Sequence, residues 1–314
     1  MRIAILDKVH PVMADKLSAA GHEVEALYMA SKQELEKVLG DVQGIVVRSR
    51  KLDAELLGKA GELRFVARAG SGLENIDVAF CRKQGIRVFN SPEGNRDGVG
   101  ETCVMLLLGL MKALVRANGQ VHAGLWLREE NRGTDLRGKT VGIIGYGQMG
   151  SAFAEKLRGF GVRILAYDKY RSGFERAGIK EASLEQVLRS SDVISLHLPL
   201  NSETHHYVDR DFFLRLGKPV WFLNTSRGAV VYTAALLDAI DHGRVIAAGL
   251  DVLEFEREDL SGIDPTKEPA TQQRLFGHPR VLLTPHVAGV THEGHQGMAR
   301  ILAQKILDAF PNGA

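Results

Sequence analysis

The clearest chemistry in this sequence lies in Gly145-Tyr146-Gly147-Gln148-Met149-Gly150. Val141-Gly142-Ile143-Ile144 before it reads as a short buried strand, and Ser151 to Phe160 after it carries helical spacing. In such a strand–turn–helix the first glycine allows the tight turn and the second lets backbone approach a pyrophosphate. The third permits close packing of helix on strand. The helix N-terminus, with Gln148 and Met149, presents amides and a partial positive charge to the phosphates. A second apolar strand, Val162 to Tyr167, ends on Asp168, eighteen residues beyond Gly150. A carboxylate there can accept hydrogen bonds from both adenosine ribose hydroxyls. The expected cofactor is NAD rather than NADP, because Asp168 would repel a 2′-phosphate, a preference that Lys169 and Arg171 soften.

A turn of this kind needs an α/β framework around it. The 314 residues suggest two domains of roughly 150 each. With 45% hydrophobic and 25% charged residues, the composition is globular rather than disordered or fibrous. Forty basic against thirty-eight acidic residues leave a formal net charge of +2, too small and dispersed for a nucleic-acid surface. Cys81 and Cys103 have no metal-ligand spacing and fit free thiols in a reducing compartment, so no metal is expected. Met1-Arg2 runs straight into the strand Ile3 to Leu6, without a signal-peptide pattern. The longest apolar run, Cys103 to Val115, contains Lys112 and is too short to span a bilayer. A soluble, cytoplasmic protein with no membrane or nucleic-acid partner is expected.

The first ninety residues alternate strands with helices. Ile3 to Leu6, Val24 to Leu27, Gly44 to Val47, Leu63 to Ala67 and Ile86 to Phe89 are the strand candidates. Pro11 to Ala20, Lys32 to Leu39, Asp53 to Lys59 and Asn75 to Gln84 have helical periodicity between them. Such alternation implies βαβ units and a mainly parallel sheet. The polar residues Arg48-Ser49-Arg50 and Arg68-Ala69-Gly70-Ser71-Gly72 follow two of these strands, where open α/β sheets bind ligands. Gly70 to Gly72 could turn consecutive amides toward an anion; equally, they could only make a turn while the arginines are solvated.

Asn90 to Asn95 is turn-rich and marks a domain crossing. One long helix is expected from Asp97 to about Ala117, apolar on nearly every side and so buried against another layer or subunit. Val121 to Leu136 reads as irregular. Three later strands, Asp192 to Leu196, Val220 to Leu223 and Val245 to Leu250, end on His197-Leu198-Pro199, Asn224 to Gly228 and Asp251. Leu282-Leu283-Thr284-Pro285-His286 repeats the arrangement, and the final helix, Glu293 to Phe310, is expected to pack back on the first domain.

Taken in order, these motifs resemble the D-2-hydroxyacid dehydrogenases over essentially the whole chain. The resemblance rests on Arg68 to Gly72 with Asn75-Ile76-Asp77, Gly145 to Gly150, His197-Leu198-Pro199-Leu200, Asn224 to Gly228 and Thr284-Pro285-His286. Gly94-Asn95 and the arginines at 48, 68 and 128 are most similar to the phosphoglycerate dehydrogenase branch. The resemblance implies two doubly wound parallel-sheet α/β domains. Residues 1–94 and 289–314 would form a flavodoxin-like substrate-binding domain, and residues 95–288 a Rossmann NAD-binding domain. It further implies a homodimer joined through the NAD-binding domains, and no appended regulatory domain after residue 314.

Carried over residue by residue, the family's catalytic roles fall on Arg227, Glu256 and His286. His286 would take the hydroxyl proton as hydride leaves C2 of a 2-hydroxy acid, Glu256 would favour the imidazolium, and Arg227 would hold the substrate carboxylate. His197, Pro199, Thr225, Asp251 and Gly289 would line the cofactor, with Asp251 facing its nicotinamide end. Arg48, Arg68, Gly70, Ser71, Gly72, Asn95 and Arg128 would meet the substrate, whose second anionic group would match the surplus of arginines. One departure leaves a choice open. The family glutamate usually precedes proline, whereas Glu256 precedes Arg257 and a Glu268-Pro269 pair follows in a lengthened loop. Glu256 is favoured and Glu268 is the alternative. The expected reaction interconverts 3-phosphoglycerate and 3-phosphohydroxypyruvate. A glyoxylate or hydroxypyruvate reductase, or a dinucleotide-sensing corepressor-like binding protein, are the other readings.

Overall fold

The computed structural model describes residues 1–257 and 259–311. The chain divides into two compact units. One comprises Met1–Arg96, Glu258–Leu260 and Val290–Ala314, and the other Asp97–Arg257 and Ser261–Gly289.

In the first unit the strands β1 (Arg2–Ile5), β2 (Glu23–Ala26), β3 (Gly44–Val47), β4 (Phe65–Arg68) and β5 (Arg87–Asn90) form one parallel sheet in the order 2-1-3-4-5. Between them lie α1 (Val12–Ala19), α2 (Lys32–Val38), α3 (Ala54–Leu57) and α4 (Val78–Lys83). β3 is buried along its whole length, as a strand covered on both faces must be. Leu35, Leu39, Leu56 and Leu57 cover one face. Met13 and Leu17 of α1 cover the other together with Leu302, Ala303 and Ile306 of the last helix. Ser31 caps α2 through a capping box with Glu34, and Asp53 and Asp77 cap α3 and α4.

The second unit opens with α5 (Arg96–Met111) and α6 (Leu114–His122). β6 (Thr140–Ile144), α7 (Gln148–Lys156), β7 (Arg163–Tyr167), β8 (Ile179–Glu181), α8 (Leu184–Ser190) and β9 (Val193–Leu196) follow. Then come α9 (Arg210–Leu214), β10 (Val220–Asn224), α10 (Thr233–Asp241), β11 (Val245–Leu250), α11 (Pro269–Phe276) and β12 (Val281–Leu283). The last helix, α12 (His292–Ala309), returns to the first unit. The seven strands of the second unit run parallel in the order β12-β11-β10-β9-β6-β7-β8, and order reverses at β6. Ligands of doubly wound sheets bind at such a switch point, outside the carboxyl ends of the strands.

Three sequence expectations need correction. The single helix from Asp97 to Ala117 is two helices bent by 62°. Ala113 between them is left-handed (φ 50°), and the carbonyl of Met111 accepts the Thr134 amide at 2.8 Å instead of continuing the helix. The irregular stretch therefore starts later, because Val121 and His122 are still helical. The lengthened loop before His286 contains α11, which begins at Pro269, a residue suited to a first helical turn. Among the described residues no single helix is long and apolar enough to cross a membrane.

Candidate active site

The three glycines of the second unit's first turn meet three different constraints. Gly145 has φ +93°, and a Cβ there would stand 2.4 Å from the His197 carbonyl oxygen. A Cβ on Gly150 would come within 2.1 Å of the Gly145 carbonyl oxygen, so strand and helix touch through backbone. A Cβ on Gly147 would meet no protein atom within 4 Å. Nothing in the fold bars its substitution, so the backbone here is open to a ligand. Gly147 is also the N-cap of α7, whose first residues are Gln148 and Met149. The helix starts three residues earlier than its periodicity suggested, so its amides begin at the loop itself.

Asp168 lies just beyond β7, next to β6 in the sheet. Its Oδ2 accepts the Tyr146 amide of the glycine loop at 2.8 Å, and its Oδ1 accepts the amides of Tyr170 and Arg171 at 2.9 and 3.0 Å. The carboxylate is thereby aimed and ties the loop to β7. Lys169 is paired with Glu203 at 2.6 Å, and Arg171 donates to the Tyr146 carbonyl at 2.7 Å. A surface cavity of about 490 Å³ is lined by residues 167–172 with Glu181, Ala182, Ser183 and Gln186. The bare Gly147, the amides of α7 and the fixed carboxylate suit a dinucleotide.

His197 after β9 bonds through Nε2 to Ser195 Oγ at 2.9 Å and packs on the Phe153 ring. Burial pushes its imidazole down to about 3, so the ring is neutral. Pro199 is exposed, and its carbonyl accepts the Thr204 hydroxyl at 2.6 Å. Thr225 Oγ1 lies 3.2 Å from the Cys103 thiol, which burial pushes up to about 12 and keeps inert.

The catalytic candidates stand at the ends of β10, β11 and β12. Their loops are locked together by backbone contact, since a Cβ on Gly228 would fall 2.0 Å from the Leu253 backbone. Asn224 Oδ1 accepts from the amide and hydroxyl of Ser226 at 3.0 and 2.7 Å, which shapes the turn holding Arg227. Arg227 is half-buried, and its Nη1 donates to the Ser226 carbonyl at 2.7 Å. His286 Nδ1 lies 2.8 Å from Glu256 Oε2, and Glu256 Oε1 accepts the Leu253 amide at 2.7 Å. Glu268 occupies the exposed N-cap position of α11, and its carboxylate accepts the Thr271 hydroxyl at 3.0 Å. Of the two glutamates, Glu256 is the one placed beside His286.

Asp251 is fully buried. Its Oδ1 accepts from Thr284 Oγ1 and the Val287 amide at 2.5 and 2.9 Å, and its Oδ2 from the Ala288 amide at 2.8 Å. It braces the loop that carries His286 and leads to the turn at Gly289. The sequence reading missed this role, and with it the hydrogen bond that Thr284 donates.

In the first unit, Arg48 is exposed at the end of β3, while its backbone amide is held by Asp7 Oδ2 at 2.7 Å. Arg68 turns inward, donating to the carbonyls of Arg48 and Gly72 at 2.9 and 2.5 Å. It braces the loop. The Gly70 amide bonds to the Arg68 carbonyl at 2.9 Å. Ser71 Oγ donates to Asn95 Oδ1 at 3.1 Å. Arg128 is exposed in the second unit beyond α6.

A doubly wound sheet with a bare glycine loop, a fixed acidic residue after the second strand and a His–Glu pair defines a dinucleotide-binding protein equipped for proton transfer. The profile described as D-isomer specific 2-hydroxyacid dehydrogenase, NAD binding domain, matches residues 104–288. The chain belongs to the D-isomer-specific 2-hydroxyacid dehydrogenase family and carries its NAD-binding domain. It is 37% identical over 289 residues to glyoxylate reductase of Thermococcus litoralis, covering 89% of this chain and 83% of that one. It is 33% identical over 311 residues to D-3-phosphoglycerate dehydrogenase of Archaeoglobus fulgidus, covering 98% of this chain but 57% of that one. The chain therefore spans little more than half of that relative. Among solved structures, D-lactate dehydrogenase from Aquifex aeolicus complexed with NAD and lactic acid matches with a TM-score of 0.83. That match is at 28% identity and covers 100% of this chain and 96% of that one.

Proposed function

We propose that the chain is an NAD-dependent dehydrogenase exchanging a hydride between nicotinamide and C2 of a D-2-hydroxy acid or its 2-keto acid. The 2.8 Å pairing of His286 Nδ1 with Glu256 Oε2 carries this reading. With Nδ1 on a carboxylate, Nε2 is the nitrogen that takes the hydroxyl proton in oxidation and returns it in reduction. Glu256 stabilises the imidazolium as the proton arrives and fixes the ring's orientation. Arg227 is assigned to the substrate carboxylate, whose two oxygens suit a planar guanidinium. NAD bound at the glycine loop would supply the hydride acceptor. As the C2–H pair leaves as hydride and the hydroxyl proton goes to His286, C2–O becomes a carbonyl and the charges balance.

For the substrate we favour 3-phosphoglycerate and 3-phosphohydroxypyruvate. Support comes from Arg48, exposed at the ligand edge of the first unit's sheet, and from Arg128, exposed in the second. The similarity to D-3-phosphoglycerate dehydrogenase agrees. Arg68 adds less than the sequence suggested, because it braces its own loop. A glyoxylate or hydroxypyruvate reductase is the second reading, favoured by the identity to a glyoxylate reductase. A corepressor-like binding protein would keep the dinucleotide site without turnover on the order of 1 per second. Reduction of glyoxylate, pyruvate, hydroxypyruvate and 3-phosphohydroxypyruvate with NADH separates the three. A chain that reduces none of them refutes the dehydrogenase assignment.

We assign the chain to a homodimer formed through the second unit. Leu114, Val115, Val121 and Trp126 are 59, 60, 54 and 76% exposed on and just beyond α6, an apolar group that isolated surface residues do not form. Sedimentation of Val121→Glu should give the monomer; a wild-type monomer excludes the assignment.

A further inference from the structure

Three strand-end loops of the second unit meet at Glu254, a carboxylate that takes no part in the assigned proton transfer. Glu254 stands in the turn between Leu253 and Glu256. The Leu253 amide closes that turn on Glu256 Oε1 at 2.7 Å, and the Glu256 amide on the Leu253 carbonyl at 3.2 Å. The Glu254 side chain is only 10% exposed. Its Oε2 accepts the Thr233 amide at 2.8 Å, at the start of α10, where the N-cap residue Tyr232 makes no side-chain capping bond. An anion from another loop thus serves a helix N-terminus that its own sequence leaves uncapped. Glu254 Oε1 lies 2.5 Å from His206 Nε2, in the loop after β9.

His206 is itself constrained. It holds φ at +51°, and its amide donates to the Ala229 carbonyl at 2.8 Å. Its ring packs on those of His205 and Tyr232, with centroids 4.1 and 5.0 Å away. Two residues on, the Val208 amide donates to the Val230 carbonyl and the Tyr232 amide to the Val208 carbonyl, both at 3.0 Å. The loops after β9 and β10 are therefore laced through backbone, and Glu254 fastens the loop after β11 to both. One turn carries two glutamates with different partners: Glu256 meets His286, and Glu254 meets His206 and Thr233. The start of that turn lies against Gly228, next to Arg227, since a Cβ on Gly228 would stand 2.5 Å from the Glu254 nitrogen.

We propose that Glu254, with His206, is a positioning residue for the reaction assigned above, on which the role rests. It holds the Leu253–Glu256 turn in place, so that Glu256 meets the imidazole of His286 at hydrogen-bond distance beside the loop that carries Arg227. A turn released from His206 and Thr233 would let the Glu256 carboxylate drift from His286, and proton transfer depends steeply on that geometry.

Steady-state reduction of glyoxylate and hydroxypyruvate by the full chain with NADH tests this. Glu254→Ala should lower kcat about 10- to 100-fold, the scale of loss when reacting groups are slightly misplaced, while the Kd for NADH stays within about twofold. In a Glu256→Gln background the same substitution should lower kcat less than about threefold, because residues that act as a unit are not additive. A side chain that served stability alone would shift Tm in both backgrounds and leave the kcat of the folded chain unchanged. Glu254→Gln keeps an acceptor for the Thr233 amide and a donor for the imidazole, and should recover most of the loss. His206→Asn, a residue that tolerates left-handed backbone, should also lower kcat and decides the matter if Glu254→Ala does not fold. Wild-type kcat in folded Glu254→Ala or in His206→Asn overturns the role. An undiminished loss in the Glu256→Gln background, or a Glu254→Gln as slow as Glu254→Ala, overturns it as well. A wild-type chain that reduces no 2-keto acid refutes the reaction itself, and the positioning role with it.

Discussion

His286 Nδ1 stands 2.8 Å from Glu256 Oε2 across thirty residues of sequence, and His286 holds φ at +55°. A left-handed residue other than glycine costs on the order of 1 kcal/mol or more and persists only where its surroundings over-determine it. Here the His286 amide bonds to the Asp251 carbonyl at 2.7 Å, and the next two amides bond to the Asp251 carboxylate. One buried aspartate therefore fixes the backbone on which the His–Glu pair depends.

His286→Ala should lower kcat by roughly 100- to 10,000-fold, the usual contribution of a general acid–base group, while changing the Kd for dinucleotide little. Glu256→Gln should lower kcat for keto-acid reduction, because the imidazolium loses its anionic neighbour. Glu268→Gln should keep the wild-type kcat. A loss in Glu268→Gln with none in Glu256→Gln would exchange the two roles.

Gly147 and Gly150 should respond oppositely to alanine. The new Cβ of Gly150→Ala would collide with the Gly145 carbonyl at 2.1 Å, so thermal unfolding should shift downward by several degrees or the chain should fail to fold. Gly147→Ala meets no protein atom, so its Tm should stay close to wild type while the Kd for NADH rises about tenfold or more. Equal NADH affinity in Gly147→Ala and wild type would remove the pyrophosphate from this loop.

NADH should be preferred over NADPH, and Asp168→Asn should narrow that preference by reducing repulsion of a 2′-phosphate. The narrowing should be partial, because Lys169 is paired with Glu203 and Arg171 with the Tyr146 carbonyl. Steady-state kcat/KM for the two cofactors decides this. Equal values in wild type would displace the ribose from Asp168.

Acid should destabilise the fold through His197. Burial holds this imidazole down to about 3, whereas an unfolded histidine titrates near 6.5. Between those values the unfolded chain binds a proton that the folded chain refuses, so stability falls as pH drops below about 6.5. Above that range the ring is neutral in both states and contributes nothing. At about pH 5 the loss is on the order of 1–2 kcal/mol. His22 and His295, also lowered chiefly by burial, act with the same sign. Urea unfolding of His197→Gln should show a shallower decline between about pH 6.5 and 5; an identical decline would place the acid sensitivity elsewhere.

The sequence by itself determined the parts whose causes are local. Apolar runs bounded by turns marked β3 and β11 at their observed limits, Gly44–Val47 and Val245–Leu250, because a buried parallel strand needs only a short continuous apolar stretch. The glycine loop and Asp168 were legible because a tight turn, a bare backbone and a helix N-terminus follow from adjacent residues. Tertiary structure decided what depends on groups far apart in sequence. The apolar stretch from Asp97 has helical character throughout, and the bend at Ala113 depends on the Thr134 amide capturing the Met111 carbonyl. Arg68 and Arg48 are the same residue type at neighbouring strand ends. One turns in to two carbonyls and the other stays exposed, since side-chain direction is set by the acceptors within reach. Glu256 and Glu268 both satisfy the motif's chemistry, and the pairing of β11 with β12 brings the first to 2.8 Å from His286. Spacing along the chain can supply a carboxylate, but only the packed sheet brings it to the imidazole.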